Sequence, residues 1–170
     1  MPRPRASLDT VALARAFAPD GLHGTPIDAV AAAAGVAKPT LYARGGDKEE
    51  LFALAVEAEV ERLLDRLDGD LIDLARALDA YVRDAPDGAR LLLVTAPHAH
   101  SRVTGRVERS LRRITLALTA AVGGEDADVV AAALLGGARA ALDGGPSVER
   151  LARLLPTGTV ARPPDGIWTA

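Results

Sequence analysis

The sequence predicts an all-α protein. No stretch of its 170 residues sustains apolar–polar alternation, and β-branched or aromatic runs are missing. Apolar residues recur instead at helical spacing, as in Leu71, Leu74, Leu78 and Tyr81. Asp, Thr, Pro and Gly stand where such segments begin and end.

Taken in order, Leu8, Val11-Ala12 and Arg15-Ala16-Phe17 set a first helix of about three turns, closed by Pro19-Asp20-Gly21. Thr25 can cap a second helix, with Pro26 in its first turn and Asp28 facing its positive end. That helix runs from Ile27 to Ala34 and stops at Gly35, a residue free to take the left-handed conformation. A short helix from Lys38 to Arg44 follows, ended by Gly45-Gly46. Asp47 then caps a long helix through Leu51, Leu54, Ala58, Leu63-Leu64 and Leu67, with Glu50 placed to complete a capping box. Gly69 breaks it.

Further helices are expected over Leu71–Tyr81 and Ala89–Val94, with Pro97–Gly105 irregular. Val107, Leu111, Ile114, Leu118 and Ala121 form one apolar face, and Arg106, Arg109, Arg112 and Arg113 a solvated one. Asp126–Leu142 is apolar nearly all round, so it must be covered on every side. Ser147–Leu155 makes a last short helix.

Composition narrows the function classes. Hydrophobic content of 49% places the chain among globular proteins, and no run reaches transmembrane length. A cytoplasmic protein without a membrane partner is expected. With no cysteine, disulfides and thiolate metal sites are excluded. There is also no Asn or Gln and only two lysines, so amide side-chain roles must be filled otherwise. Net charge is −3, yet residues 1–46 hold five basic against three acidic side chains. A mildly basic head on an acidic body suits a nucleic-acid-binding head with a separate effector part.

Thr25–Arg44 follows helix-turn-helix grammar. Ala31 is small where two helices cross, Gly35 makes the tight turn, and Val30, Val36 and Leu41 supply a shared core. The second helix then presents Lys38, Pro39, Thr40, Tyr42 and Arg44 outward. Pro39 belongs to the first turn, where no backbone N–H is used, and its ring can lie near a thymine methyl. Tyr42 suits a phosphate oxygen, while Arg44 or Lys38 can reach guanine.

The stretch Phe17–Phe52, FAPDGLHGTPIDAVAAAAGVAKPTLYARGGDKEELF, resembles the N-terminal pattern of the TetR-type (tetracycline-repressor-like) transcriptional regulators. The matching residues are Gly21, Thr25, Ile27, Val30-Ala31, Ala34-Gly35-Val36, Lys38, Thr40-Leu41-Tyr42, Lys48-Glu49 and Leu51. Both lysines fall where that family favours lysine. The resemblance implies a three-helix DNA-binding head, a long connecting helix and a helical ligand-sensing, dimer-forming body. It implies phosphate contacts from Tyr42 and Lys48, and together with the outward face of the second helix the expected DNA-binding residues are Thr25, Lys38, Pro39, Thr40, Tyr42, Arg44 and Lys48. Two positions depart from the family: Ala37 replaces a usual Ser cap, and Gly45 replaces a Phe that anchors the recognition helix.

Other constellations read more plainly. Arg3 and Arg5 suit either a minor-groove arm or a frayed terminus. His98 and His100 lack metal-ligand spacing, so no metal is expected and they read as pocket-lining or surface residues. No phosphate-cradling loop, nucleophile elbow or distinctive carboxylate pair is present, which argues against an enzyme and leaves no cofactor to assign.

The expected organisation is a head over 1–46, a ligand-sensing and dimerisation body over 47–155, and a tail over 156–170 that holds Trp168. The expected partners are a palindromic double-stranded DNA operator, a small-molecule effector and a second copy of the chain. Leu63, Leu67, Leu74, Leu78, Tyr81, Leu92, His98 and Leu118 are expected to line the effector pocket. Val129, Val130, Ala133, Leu134, Gly137, Ala141 and Leu151 are expected at the dimer interface, the alternative being a helix central to a monomer core. The rival function is a helical ligand- or protein-binding dimer whose head, without its aromatic anchor, no longer binds DNA.

Overall fold

The computed structural model describes residues 8–155, and the described residues contain helices and turns but no strand. Arg3, Arg5, the tail 156–170 and Trp168 lie outside them. The head holds α1 (Thr10–Phe17), α2 (Gly21–Gly24), α3 (Ile27–Ala33) and α4 (Lys38–Gly45). The body holds α5 (Lys48–Leu64), α6 (Leu71–Asp84), α7 (Pro86–Arg90), α8 (Thr104–Val122), α9 (Ala127–Leu142) and α10 (Val148–Ala152). Between α7 and α8 the chain makes a π turn over Leu91–Thr95 and a 3-10 turn over Ala96–His98, where a plain helix to Val94 is expected.

Local chemistry explains most boundaries. Asp9, not Leu8, starts α1: its carboxylate accepts from the backbone N–H of Val11 (3.0 Å) and Ala12 (3.1 Å), which leaves about two turns. Asp47 caps α5 through Glu49 and Glu50. The expected return contact from Glu50 is replaced by an ion pair with Arg106 (2.6 Å). The capping box forms instead at α6, between Asp70 and Asp73. Asp79 of α6 accepts from the Val148 (2.7 Å) and Glu149 (2.9 Å) N–H groups, fixing α10 across the fold.

Helix α5 organises the core. It buries Leu51, Phe52, Ala55, Val56, Val60 and Leu63, and packs on α1 and α8. Phe52 meets Phe17 of α1 edge to face, with ring centroids 5.2 Å apart, so head and body share one apolar seam. Glu59 is buried beside them. It accepts from the Tyr81 hydroxyl (2.9 Å) and pairs with Arg62, whose Nη2 donates to Thr10 Oγ1 (2.5 Å). A buried carboxylate needs such partners, and this set ties α1, α5 and α6 together.

Two expectations change here. The arginines of α8 are not uniformly solvated: Arg106 grips Glu50 and Glu57, and Arg113 pairs with Glu61, holding α8 along α5. Helix α9 is buried on one side only, through Ala127, Ala131, Leu134, Gly137 and Ala138, while Val129, Ala132, Ala133 and Gly136 are exposed.

Candidate functional site

The α3–turn–α4 unit is built by its caps. Gly35 has φ +64°, and a Schellman pair closes α3: Val36 N–H donates to Ala31 O and Gly35 N–H to Ala32 O, each at 3.1 Å. Ala37 offers α4 no side-chain cap, but Pro39 sits in the first turn and needs none for its own nitrogen. Leu41 is fully buried and anchors the helix. Gly46, at φ +78°, ends it with an N–H bond to Tyr42 O (3.0 Å).

Gly45 does not loosen that end. It is the last residue of α4 and buried. A Cβ there would lie 2.7 Å from Leu8 Cδ1 and 3.2 Å from Leu51 Cγ. Leu8 and Leu51 therefore occupy the space in which an aromatic anchor would sit. The absent aromatic is thereby removed from the grounds for the rival reading of a slack head.

Helical geometry sets the outward face. With Leu41 and Gly45 turned inward, steps of about 100° put Ala43 opposite them, flanked by Pro39 and Thr40. Lys38, Pro39, Tyr42, Ala43 and Arg44 are exposed and Thr40 is half-buried. Ala43 has no place among the residues expected from sequence, because an alanine carries no polar signal.

Two lysines sit differently from expectation. Lys38 Nζ pairs with Asp28 Oδ1 of α3 at 2.6 Å, both groups being exposed. Lys48 is half-buried, and its ammonium donates to the Thr25 carbonyl (3.0 Å), leaving two N–H groups for a phosphate. Thr25 itself is a correction. It is buried, and its hydroxyl donates to Gly21 O (2.7 Å), so it neither caps α3 nor presents its side chain to DNA. Pro26 holds the cap position.

The segment from the π turn to the start of α8 lies against the head. Thr95 Oγ1 donates to Ala18 O (2.8 Å), and His23 Nε2 lies 2.8 Å from His100 O. Arg102 pairs with Asp47 and, at 3.3 Å, with Glu49. The Arg102 guanidinium, with the Glu50 backbone N–H, holds the Asp47 carboxyl below its usual range.

The expected effector pocket is largely solid core. Leu63, Leu74, Leu78, Tyr81, Leu92 and Leu118 are buried in the packed interior, Leu67 is half-buried, and His98 is exposed on the 3-10 turn. A cleft of about 280 Å³ lies instead between the π turn, α8 and α9. Leu92, Leu93, Leu111, Ile114 and Leu135 wall it, with Thr115, Gly136 and Arg139 on its α8 and α9 sides. Of the eight expected residues, only Leu92 lines it. A wider, polar cleft of about 620 Å³ lies between α6, the end of α9 and α10, with Arg76, Asp79, Arg83 and Glu149 on its walls.

The expected dimer residues also divide. Val129 and Ala133 are exposed and Val130 is half-buried. Leu134 belongs to the core, and Gly137 packs against Leu151, whose Cδ1 would lie 2.8 Å from a Cβ at 137. Leu134, Gly137 and Leu151 thus join α9 to its own subunit, and Ala141 lines the polar cleft. Leu116 of α8 and Gly136 of α9 are exposed as well.

Residues 10–55 match the family described as bacterial regulatory proteins, tetR family. No curated protein matches the chain in sequence. Among solved structures, a TetR-like transcriptional regulator from Rhodococcus sp. RHA1 is 27% identical, with 91% of this chain and 93% of that chain covered and a TM-score of 0.62. The transcriptional regulator FadR from Bacillus subtilis, in complex with stearoyl-CoA, is 14% identical over 85% of this chain and 91% of its own, with a TM-score of 0.65. The fatty acid degradation regulator FadR from Bacillus halodurans has the same identity and TM-score, with 85% and 93% covered.

Proposed function

We propose, from the premise that the chain belongs to the tetR family of bacterial regulatory proteins, that this transcriptional regulator lays α4 in the major groove of a palindromic operator as a homodimer. The outward face of α4 carries the reading: Pro39, Thr40 and Ala43 face the bases, and Tyr42, Arg44 and Lys48 flank them at phosphate height. Three short, largely apolar readers suit thymine methyl groups. Among the described residues no helix is long and apolar enough to cross a membrane.

The subunit contact is proposed for the exposed α9 face. Val129 is 63% and Leu116 60% exposed, and Ala132, Ala133 and Gly136 between them are small enough for close helix approach. An exposed apolar stripe of this kind favours burial against its own copy.

The cleft between α8 and α9 is proposed as the effector site. Leu92 and Leu93 line it, and two residues further on Thr95 holds the end of α1. An effector that displaces the π turn shifts the population towards heads that no longer match two half-sites. The stearoyl-CoA of the Bacillus subtilis neighbour exceeds a cleft of about 280 Å³, so that ligand is not carried over.

The test is fluorescence anisotropy with DNA from beside the chain's own gene, at two salt concentrations. Saturable binding should weaken steeply with salt and be lost in Tyr42→Phe/Lys48→Ala. Wild-type binding no different from that of the double variant would refute the proposal.

A further inference from the structure

We infer that the α8–α9 cleft takes a small monocarboxylate with an apolar body, its carboxylate held by Arg139. The inference rests on the effector-site reading above and adds the ligand's chemistry. Five aliphatic side chains wall the cleft, and Arg139 is the charged residue in its lining. Among the described residues Arg139 has no carboxylate within ion-pair distance, whereas Arg90, at the end of α7, pairs with Asp143 (3.4 Å). An unpaired guanidinium beside an apolar slot is complementary to a ligand with one negative end and a hydrocarbon remainder.

Size and charge narrow the class. A volume of about 280 Å³ equals about nine water molecules at ~30 Å³ each, which suits a ligand of about ten non-hydrogen atoms. One guanidinium fork matches one carboxylate through two parallel N–H bonds, and the Thr115 hydroxyl adds a further donor on α8. A phosphate monoester brings close to two negative charges and would leave one without a cationic partner.

The experiment is calorimetric titration of the full chain, without DNA, with octanoate, octan-1-ol and octyl phosphate. Octanoate should bind about ten- to a hundredfold tighter than octan-1-ol, the ratio given by a charge-assisted hydrogen bond. Arg139→Met should abolish that preference while octan-1-ol still binds, and Ile114→Trp, which fills the slot, should abolish both. Equal affinities in the wild type, tighter octyl phosphate, or a preference that survives Arg139→Met would overturn the inference. So would an Arg139→Met variant that changes only the monomer–dimer equilibrium, since that assigns the side chain to the subunit contact. Binding that meets these criteria while operator affinity stays unchanged supports the carboxylate site and counts against the effector role.

Discussion

Replacing Gly45 by phenylalanine, the residue the family favours there, should destabilise this protein. The reason is geometric. A Cβ at 45 would lie 2.7 Å from Leu8 Cδ1 and 3.2 Å from Leu51 Cγ, inside the 3.4–4 Å of ordinary contact, before any ring is added. Overpacking of this kind costs about 1–3 kcal/mol, offset by only about 0.5 kcal/mol from removing a helical glycine. For a chain of this size a net loss of about 1.5 kcal/mol lowers the melting temperature by about 3–6 °C. Circular dichroism at the helical band reads it directly. Gly45→Phe combined with Leu51→Ala should be more stable than the two separate losses predict, because the ring then has Leu51's space. A single Gly45→Phe variant that melts above the wild type would refute the claim that Leu8 and Leu51 already fill this site.

Other consequences follow from the same contacts. Tyr81 is pushed up, first by burial and then by the adjacent Glu59 carboxylate, so the folded state keeps a proton the unfolded chain releases near pH 10. Its contribution is fully present below that pH. Above it, stability should fall by about 1.4 kcal/mol per unit, and Tyr81→Phe should remove that slope in urea unfolding; parallel profiles would contradict this. Arg62→Leu leaves the buried Glu59 without its cation and should cost about 3–5 kcal/mol, seen as a lower denaturant midpoint at unchanged m. Asp28→Asn frees Lys38 for phosphate, so affinity for any DNA should rise and the logarithmic salt slope steepen by about 0.9. An unchanged slope would show that Lys38 stays off the backbone. Ala133→Glu should convert a micromolar dimer to monomer in sedimentation velocity, whereas a monomeric wild type would refute the α9 contact.

The helices were legible where the signal is local. Gly35, Pro39, Gly46 and Asp47 do what their neighbours in sequence require of them. Misreadings arise where distant residues decide. Thr25 has the chemistry of a cap, yet Gly21 O, four residues back, takes its hydroxyl in a short helix too brief to show a period. Arg106 and Arg113 look solvated until Glu50, Glu57 and Glu61 of α5 are placed opposite them. The loss of an aromatic at 45 looks like damage until Leu8 and Leu51 are seen in its space. Leucines that fill a core and leucines that wall a cleft have the same periodicity, so seven of the eight expected pocket residues do not line the α8–α9 cleft. Ala43 was illegible for the opposite reason: its role comes from its angle on the helix, and its methyl group carries no motif.

Hydroxyl-radical footprinting of the DNA beside the chain's own gene tests the central reading most directly. A homodimer with one α4 per major groove should protect two symmetric half-sites on one face of the duplex, separated by a whole number of turns of about 10 base pairs. Tyr42→Phe/Lys48→Ala should erase both together. A single asymmetric patch, or protection that the double variant leaves intact, would contradict the account.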